Sequence, residues 1–194
     1  MIIELKDITK SYEDKKVLED FNLEIEDEHS YVVTGKKGCG KTTLFRIILG
    51  LEHAEHGTVK LLGDYKYPYI NSGAVFQNDR LCEDLTALDN VVMVSKKIFR
   101  QTAAEELLKL LPEDAINVPV KKLTPLQRRM VVIARACCIP NDVLIMDEPL
   151  TGLEGEDRKK AIRFIRDKQG RGPLFMTAAE NDLEGLEFAR VIRI

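Results

Sequence analysis

Gly35-Lys36-Lys37-Gly38-Cys39-Gly40-Lys41-Thr42 has the spacing of a glycine loop closed by a lysine and a hydroxyl residue, an arrangement suited to gripping phosphate. Glycines let successive backbone N–H groups curl around an anion without Cβ clashes, and a following helix adds its positive end. Lys41 is expected to reach the β- and γ-phosphates and the Thr42 hydroxyl to bind Mg2+. Downstream, Val143-Leu144-Ile145-Met146 runs straight into Asp147-Glu148-Pro149. Two carboxylates at the C-terminal tip of a buried strand stand where open α/β sheets bind their ligands. Asp147 is expected to orient the metal and Glu148 to act as general base on an attacking water.

The surrounding elements are placed to present these groups. Tyr31-Val32-Val33 is a compact apolar run leading into the glycine loop, and Thr43 to Leu49 follows as a helix. Ile2 to Leu5 and the alternating Phe21-Asn22-Leu23-Glu24-Ile25 read as strands with one wet face, which suits an antiparallel sheet. A turn-rich stretch then leads to a short strand, Gly73 to Phe76, ending at Gln77. Helical periodicity runs from Leu85 to Leu111, with Pro112 and Pro119 closing that region. A helix opens at Thr124 and extends through Cys138, a charged amphipathic one covers Glu156 to Lys168, and Leu174 to Met176 and Val191 to Ile194 are further strands. Buried strands alternating with helices imply a parallel sheet covered on both faces.

The 194 residues suit one domain, and 44% hydrophobic with 31% charged residues suits a folded core. A net charge of −3 argues against coating nucleic acid by charge alone, and no nucleic-acid partner is expected. Apolar runs fall far short of a membrane span, being stopped at Arg135 and Asp147. The early charges Glu4, Lys6 and Asp7 argue against a secretory leader. Four cysteines and three histidines form no metal-ligand spacing, so reduced thiols are expected, with Cys39 filling a small space in its loop. Arg128-Arg129 reads as helix surface.

Taken in order, the phosphate loop, Phe76-Gln77, Leu123 to Gln127, Ile133-Ala134-Arg135-Ala136, Asp147-Glu148-Pro149 and Thr151-Gly152-Leu153 resemble the nucleotide-binding subunit of ABC transporters over essentially the whole chain. The resemblance implies an α/β fold: a P-loop NTPase (RecA-like) core with a parallel sheet, an N-terminal antiparallel β subdomain and an inserted helical subdomain. It implies one ATPase domain over residues 1–194, with the helical part at about 78–138. It assigns ATP and Mg2+ to Gly35, Lys36, Lys37, Gly38, Cys39, Gly40, Lys41, Thr42 and Thr43. Tyr12 matches the adenine-stacking aromatic, Gln77 the glutamine that touches the metal and serves catalysis, and Asp147 and Thr42 the metal ligands. A cytoplasmic subunit at the inner face of the membrane is implied, pairing head to tail with itself or a related subunit and driving a permease. A solute-binding protein belongs to such systems. Phe76 to Leu81 and Leu85 to Val91 look most like importers of the nitrate, sulfonate and taurine type.

Three positions depart from that pattern. Leu123-Thr124-Pro125-Leu126-Gln127 stands where the family has Leu-Ser-Gly-Gly-Gln: an excellent helix start, but a poorer anion site, since Pro125 removes an N–H and Leu126 adds a side chain. Ala178 occupies the position of the family's histidine, which costs a preorganised electrostatic contact. Glu154 replaces an aspartate after Pro149. ATP binding near normal with weak hydrolysis in isolation is therefore expected, and a regulatory ATP-binding module with little hydrolysis is the alternative. Relatives in chromosome or repair machinery insert a long coiled coil before the signature; only 46 positions separate Gln77 from Leu123, without sustained heptads.

Overall fold

The computed structural model describes residues 2–13, 15–63 and 69–194. Residues 64–68, part of the turn-rich stretch read from the sequence, lie outside the described residues, as does Met1.

Three strands, β1 (Ile2–Tyr12), β2 (Lys15–Glu26) and β4 (His56–Leu62), pair antiparallel in the order β2-β1-β4. Five more form a second sheet in the order β5-β6-β7-β3-β8: β3 (Ser30–Gly35), β5 (Ser72–Val75), β6 (Val143–Met146), β7 (Leu174–Ala179) and β8 (Arg190–Arg193). Every pairing in this second sheet is parallel. The expected antiparallel and parallel sheets are both present. β4 was hidden in the turn-rich stretch because its residues mostly face solvent and lack a strong apolar face. β5 ends at Val75, one residue before Phe76.

The apolar runs of the parallel strands follow from burial on both faces. Along β6, Val143 and Ile145 join one core cluster and Leu144 and Met146 the other. On β3, Tyr31 and Val33 point to one side and Val32 to the other, as a two-residue period demands. One cluster packs the sheet against α1 (Lys41–Ile48) and the antiparallel sheet. The other packs it against α2 (Ala87–Val92), α3 (Arg100–Leu108), α4 (Glu113–Ile116), α5 (Pro125–Cys138) and α6 (Gly155–Gln169).

The periodicity from Leu85 to Leu111 resolves into two helices rather than one, α2 and α3, with non-helical residues between them. Thr86 caps α2 by accepting from the Asp89 N–H. In α5, Thr124 and Gln127 satisfy each other's backbone N–H groups in a capping box, and Pro125 takes the first turn. None of the helices among the described residues is long and apolar enough to cross a membrane.

Candidate functional site

The C-terminal ends of β3, β5, β6 and β7 lie on one edge of the parallel sheet, because all four strands run the same way. That edge carries the glycine loop, Gln77, the Asp147–Glu148 pair and Thr177. A cavity of about 310 Å³ opens there, lined by Tyr12, Val17, Lys37, Gly38, Gly40, Lys41, Thr42, Thr43, Gln77 and Glu148. Residues separated widely in sequence thus share one hollow.

The loop needs its glycines locally. Gly40 sits at φ 109°, where a Cβ would meet the Val17 carbonyl oxygen at 2.5 Å. It is also the N-cap of α1, and it brings no side chain to that helix end. No acidic residue lies in the first turn either. The N–H groups at this helix end are therefore left without a side-chain cap of the helix's own, unlike α2 and α5 with their capping side chains. Lys15 reaches over to donate to the Gly38 carbonyl at 3.1 Å.

Lys41 is 6% exposed. Its ammonium donates to the carbonyls of Gly35 (2.7 Å) and Lys36 (3.2 Å) and lies 3.8 Å from Glu148 Oε1. Thr42 donates to Asp147 Oδ2 at 2.8 Å, which leaves lone pairs of the Thr42 oxygen available to a cation. Asp147 is 2% exposed, and its other oxygen accepts from Thr177 Oγ1 at 2.6 Å. A hydroxyl, a carboxylate and the Gln77 amide are hard oxygen donors of the kind Mg2+ takes, so these residues fit that ion.

Glu148 stands at φ 46°, in the left-handed region. Thr177 Oγ1 accepts the Glu148 N–H at 2.9 Å while giving its own proton to Asp147. Thr177 is thus a site residue the sequence did not single out. Its signal was faint, a polar residue among the apolar ones of β7.

Tyr12 is half-exposed at the cavity rim, and its hydroxyl meets Glu52 and Thr43 Oγ1 (3.3 Å). Partial burial, then the Glu52 carboxylate, push that hydroxyl above its usual pKa, so it stays a neutral donor. Glu52 also pairs with Lys10 (3.5 Å) and Arg46 (3.2 Å). Phe76 packs edge-on against Phe45 of α1, fixing the start of the Gln77 segment. Gly35, Lys36, Cys39 and Asp147 do not line the cavity: the first two turn carbonyls onto Lys41, and Asp147 supports Thr42.

The reading of Arg128-Arg129 as helix surface holds for one residue only. Arg128 pairs with Glu83 at 2.5 Å and holds that exposed carboxyl below its ordinary value. Arg129 is 6% exposed and turned into the fold, because α5 packs that side against the sheet end. Of the three departures, Ala178 pairs with Thr34 and brings no polar side chain to the sheet edge. Glu154 precedes α6 and makes no side-chain cap.

This fold and this sheet-edge hollow define a nucleotide-triphosphatase architecture. The family described as ABC transporter matches residues 18–151, and the chain belongs to that family. It is 34% identical over 196 residues to the spermidine/putrescine import ATP-binding protein PotA of Spiroplasma citri, covering 95% of this chain and 56% of that protein. It is 30% identical over 179 residues to the sulfate/thiosulfate import ATP-binding protein CysA of Pseudomonas aeruginosa, covering 85% and 54% respectively. The chain therefore spans about half the length of the curated relatives it matches. Among solved structures it superposes on the dimeric post-hydrolysis state of the ATP-binding cassette MJ0796 bound to ADP and Pi, with a TM-score of 0.83 and 25% identity over 99% of this chain and 94% of that one.

Proposed function

We propose that this chain is the ATP-binding subunit of an ABC importer, binding Mg-ATP at the glycine loop and coupling it to a membrane permease from the cytoplasmic side. The observation carrying this reading is the convergence of Lys41, Thr42, Gln77 and Glu148 on one cavity, with Asp147 directly behind Thr42. The relatives' names, both of importers, support the direction of transport. The finer nitrate, sulfonate and taurine type rests on the Phe76 to Val91 stretch alone.

The uncapped start of α1 and the loop N–H groups receive the phosphates. Lys41 exchanges its carbonyl partners for phosphate oxygens, a stronger charge-assisted contact. Tyr12 offers its ring to the base. Bound Mg2+ would supply charge neutralisation at the β- and γ-phosphates, held by Thr42 and Gln77 with Asp147 behind. Glu148 accepts the proton of the attacking water. Residues 78–138 serve as the helical subdomain that meets the permease, and a solute-binding protein completes the system.

Hydrolysis by the isolated chain is weak on this reading. Ala178 has no donor for the γ-phosphate, and the N-terminus of α5 offers few: Thr124 and Gln127 N–H groups are occupied, Pro125 has none, and Leu126 brings a side chain beside its own. A homodimer would place that closed helix end opposite each bound ATP, whereas a heterodimer lets a related subunit supply an open one. The same closure favours the second reading, a regulatory ATP-binding module with little hydrolysis.

Equilibrium binding of Mg-ATP and single-turnover hydrolysis test both. We expect Lys41→Ala to abolish binding, and Glu148→Gln to keep binding while cutting the slow turnover to a small residual rate. Vigorous Glu148-dependent turnover by the purified chain alone would refute the weak-hydrolysis expectation, and absence of Mg-ATP binding would refute the whole reading.

A further inference from the structure

The Arg129 guanidinium reaches two segments that meet nowhere in sequence. Its Nε donates to the Pro149 carbonyl at 3.0 Å. One terminal nitrogen donates to the Phe76 carbonyl and to Asp79 Oδ1, each at 3.1 Å. The other donates to the carbonyl of Asp147 at 3.4 Å and to that of Glu148. The fork thus grips the residue before Gln77 and the backbone of the acidic pair together.

Charge balance does not explain the arrangement. Asp79 is the one carboxylate among its hydrogen-bond partners, and the rest are backbone carbonyls of the two segments. The Glu148 backbone is also the one that needs holding. An L-residue at φ 46° is strained by about 1–3 kcal/mol and persists where its surroundings over-determine it. Thr177 fixes its N–H and Arg129 its carbonyl. A second arginine of the same helix adds to the grip: Arg135 donates to the carbonyls of Asp79 and Arg80, each at 2.9 Å.

We propose that Arg129 is a positioning residue that ties the Gln77 segment to the Glu148 backbone, so that helix α5 sets the reactive geometry of the chain's own ATP site. This rests on reading Glu148 and Gln77 as catalytic groups. Helix α5 begins at the altered Thr124-Pro125-Leu126 segment, and Arg129 lies little more than one turn further on. Whatever docks against that helix end is therefore linked rigidly to the place where water is activated. Lysine cannot replace the fork, since a point charge with one nitrogen does not span both segments.

The test compares wild type, Arg129→Lys, Glu148→Gln and the double variant by Mg-ATP binding and single-turnover hydrolysis with protein in excess. We expect Arg129→Lys to bind Mg-ATP within about threefold of wild type while its rate falls about 10–100-fold, the scale of a small misplacement of reacting groups. The double variant should be no slower than Glu148→Gln alone, because Gln77 and Glu148 act as a unit that the Glu148 change already disables. An unchanged rate in Arg129→Lys, or losses that multiply in the double variant, overturns the proposal. Hydrogen exchange gives a readout independent of turnover: residues 76–80 and 147–151 should exchange faster in Arg129→Lys while residues 130–138 stay protected. Equal exchange in those two segments overturns it too. Wild-type protein that binds no Mg-ATP would instead overturn the functional reading on which the proposal stands.

Discussion

Thr177 carries more of the site than its size suggests. One hydroxyl donates to the buried Asp147 and accepts from the Glu148 N–H, so the metal-site candidate and the candidate base are oriented by the same atom. Thr177→Val keeps the shape and removes both bonds, leaving a buried carboxylate oxygen and an amide short of partners. We expect a loss of about 1–3 kcal/mol in urea unfolding. The glycine loop and the acidic pair were legible because each is a contiguous run whose chemistry depends on local spacing. Thr177 was not, since its role arises from where β7 passes β6, with Met146 paired to Met176. Arg129 was hidden for a similar reason: a long cation beside Arg128 looks solvated until the fold turns one inward and leaves the other out.

Helices α1 and α5 begin in opposite ways, and the difference is chemical. Helix α1 starts at a glycine with no capping side chain, whereas α5 starts with a reciprocal cap and a proline. An anion meets no capping side chain at the first, and competes with the reciprocal Thr124–Gln127 bonds at the second. Thr124→Ala should cost about 1 kcal/mol of stability by chemical denaturation. The cap could be read from Thr124, Pro125 and Gln127 because capping is decided within four residues. The break between α2 and α3 could not, since the Leu85 to Leu111 stretch keeps a helical spacing of apolar residues through the interruption. β4 was missed because strand pairing with β1, rather than its own pattern, makes His56–Leu62 a strand.

At the scale of the molecule, a parallel sheet divides two core clusters, and the site lies where its strands end rather than within either core. Continuous apolar runs such as Val143–Met146 announced burial on both faces. Which strands adjoin, in the order β5-β6-β7-β3-β8, depends on crossovers that no local pattern encodes. A ligand bridging the loop, β6 and the Tyr12 rim engages both sheets only in the folded state, so it stabilises the whole chain. Mg-ATP at a hundred times its dissociation constant should add about 2.7 kcal/mol, raising the melting temperature by roughly 5–10 °C in a thermal scan. Lys41→Ala should erase that rise.

Glu52 draws the Tyr12 hydroxyl, Lys10 and Arg46 to a single carboxylate, latching the rim aromatic to helix α1 before any visitor arrives. On the proposed reading, a purine meeting that ring would find a fixed shelf rather than a hand that must close, with little conformational freedom left to lose on arrival. Encounter would then be governed by diffusion and steering, and differences among competing nucleotides would be expressed in how quickly each one leaves.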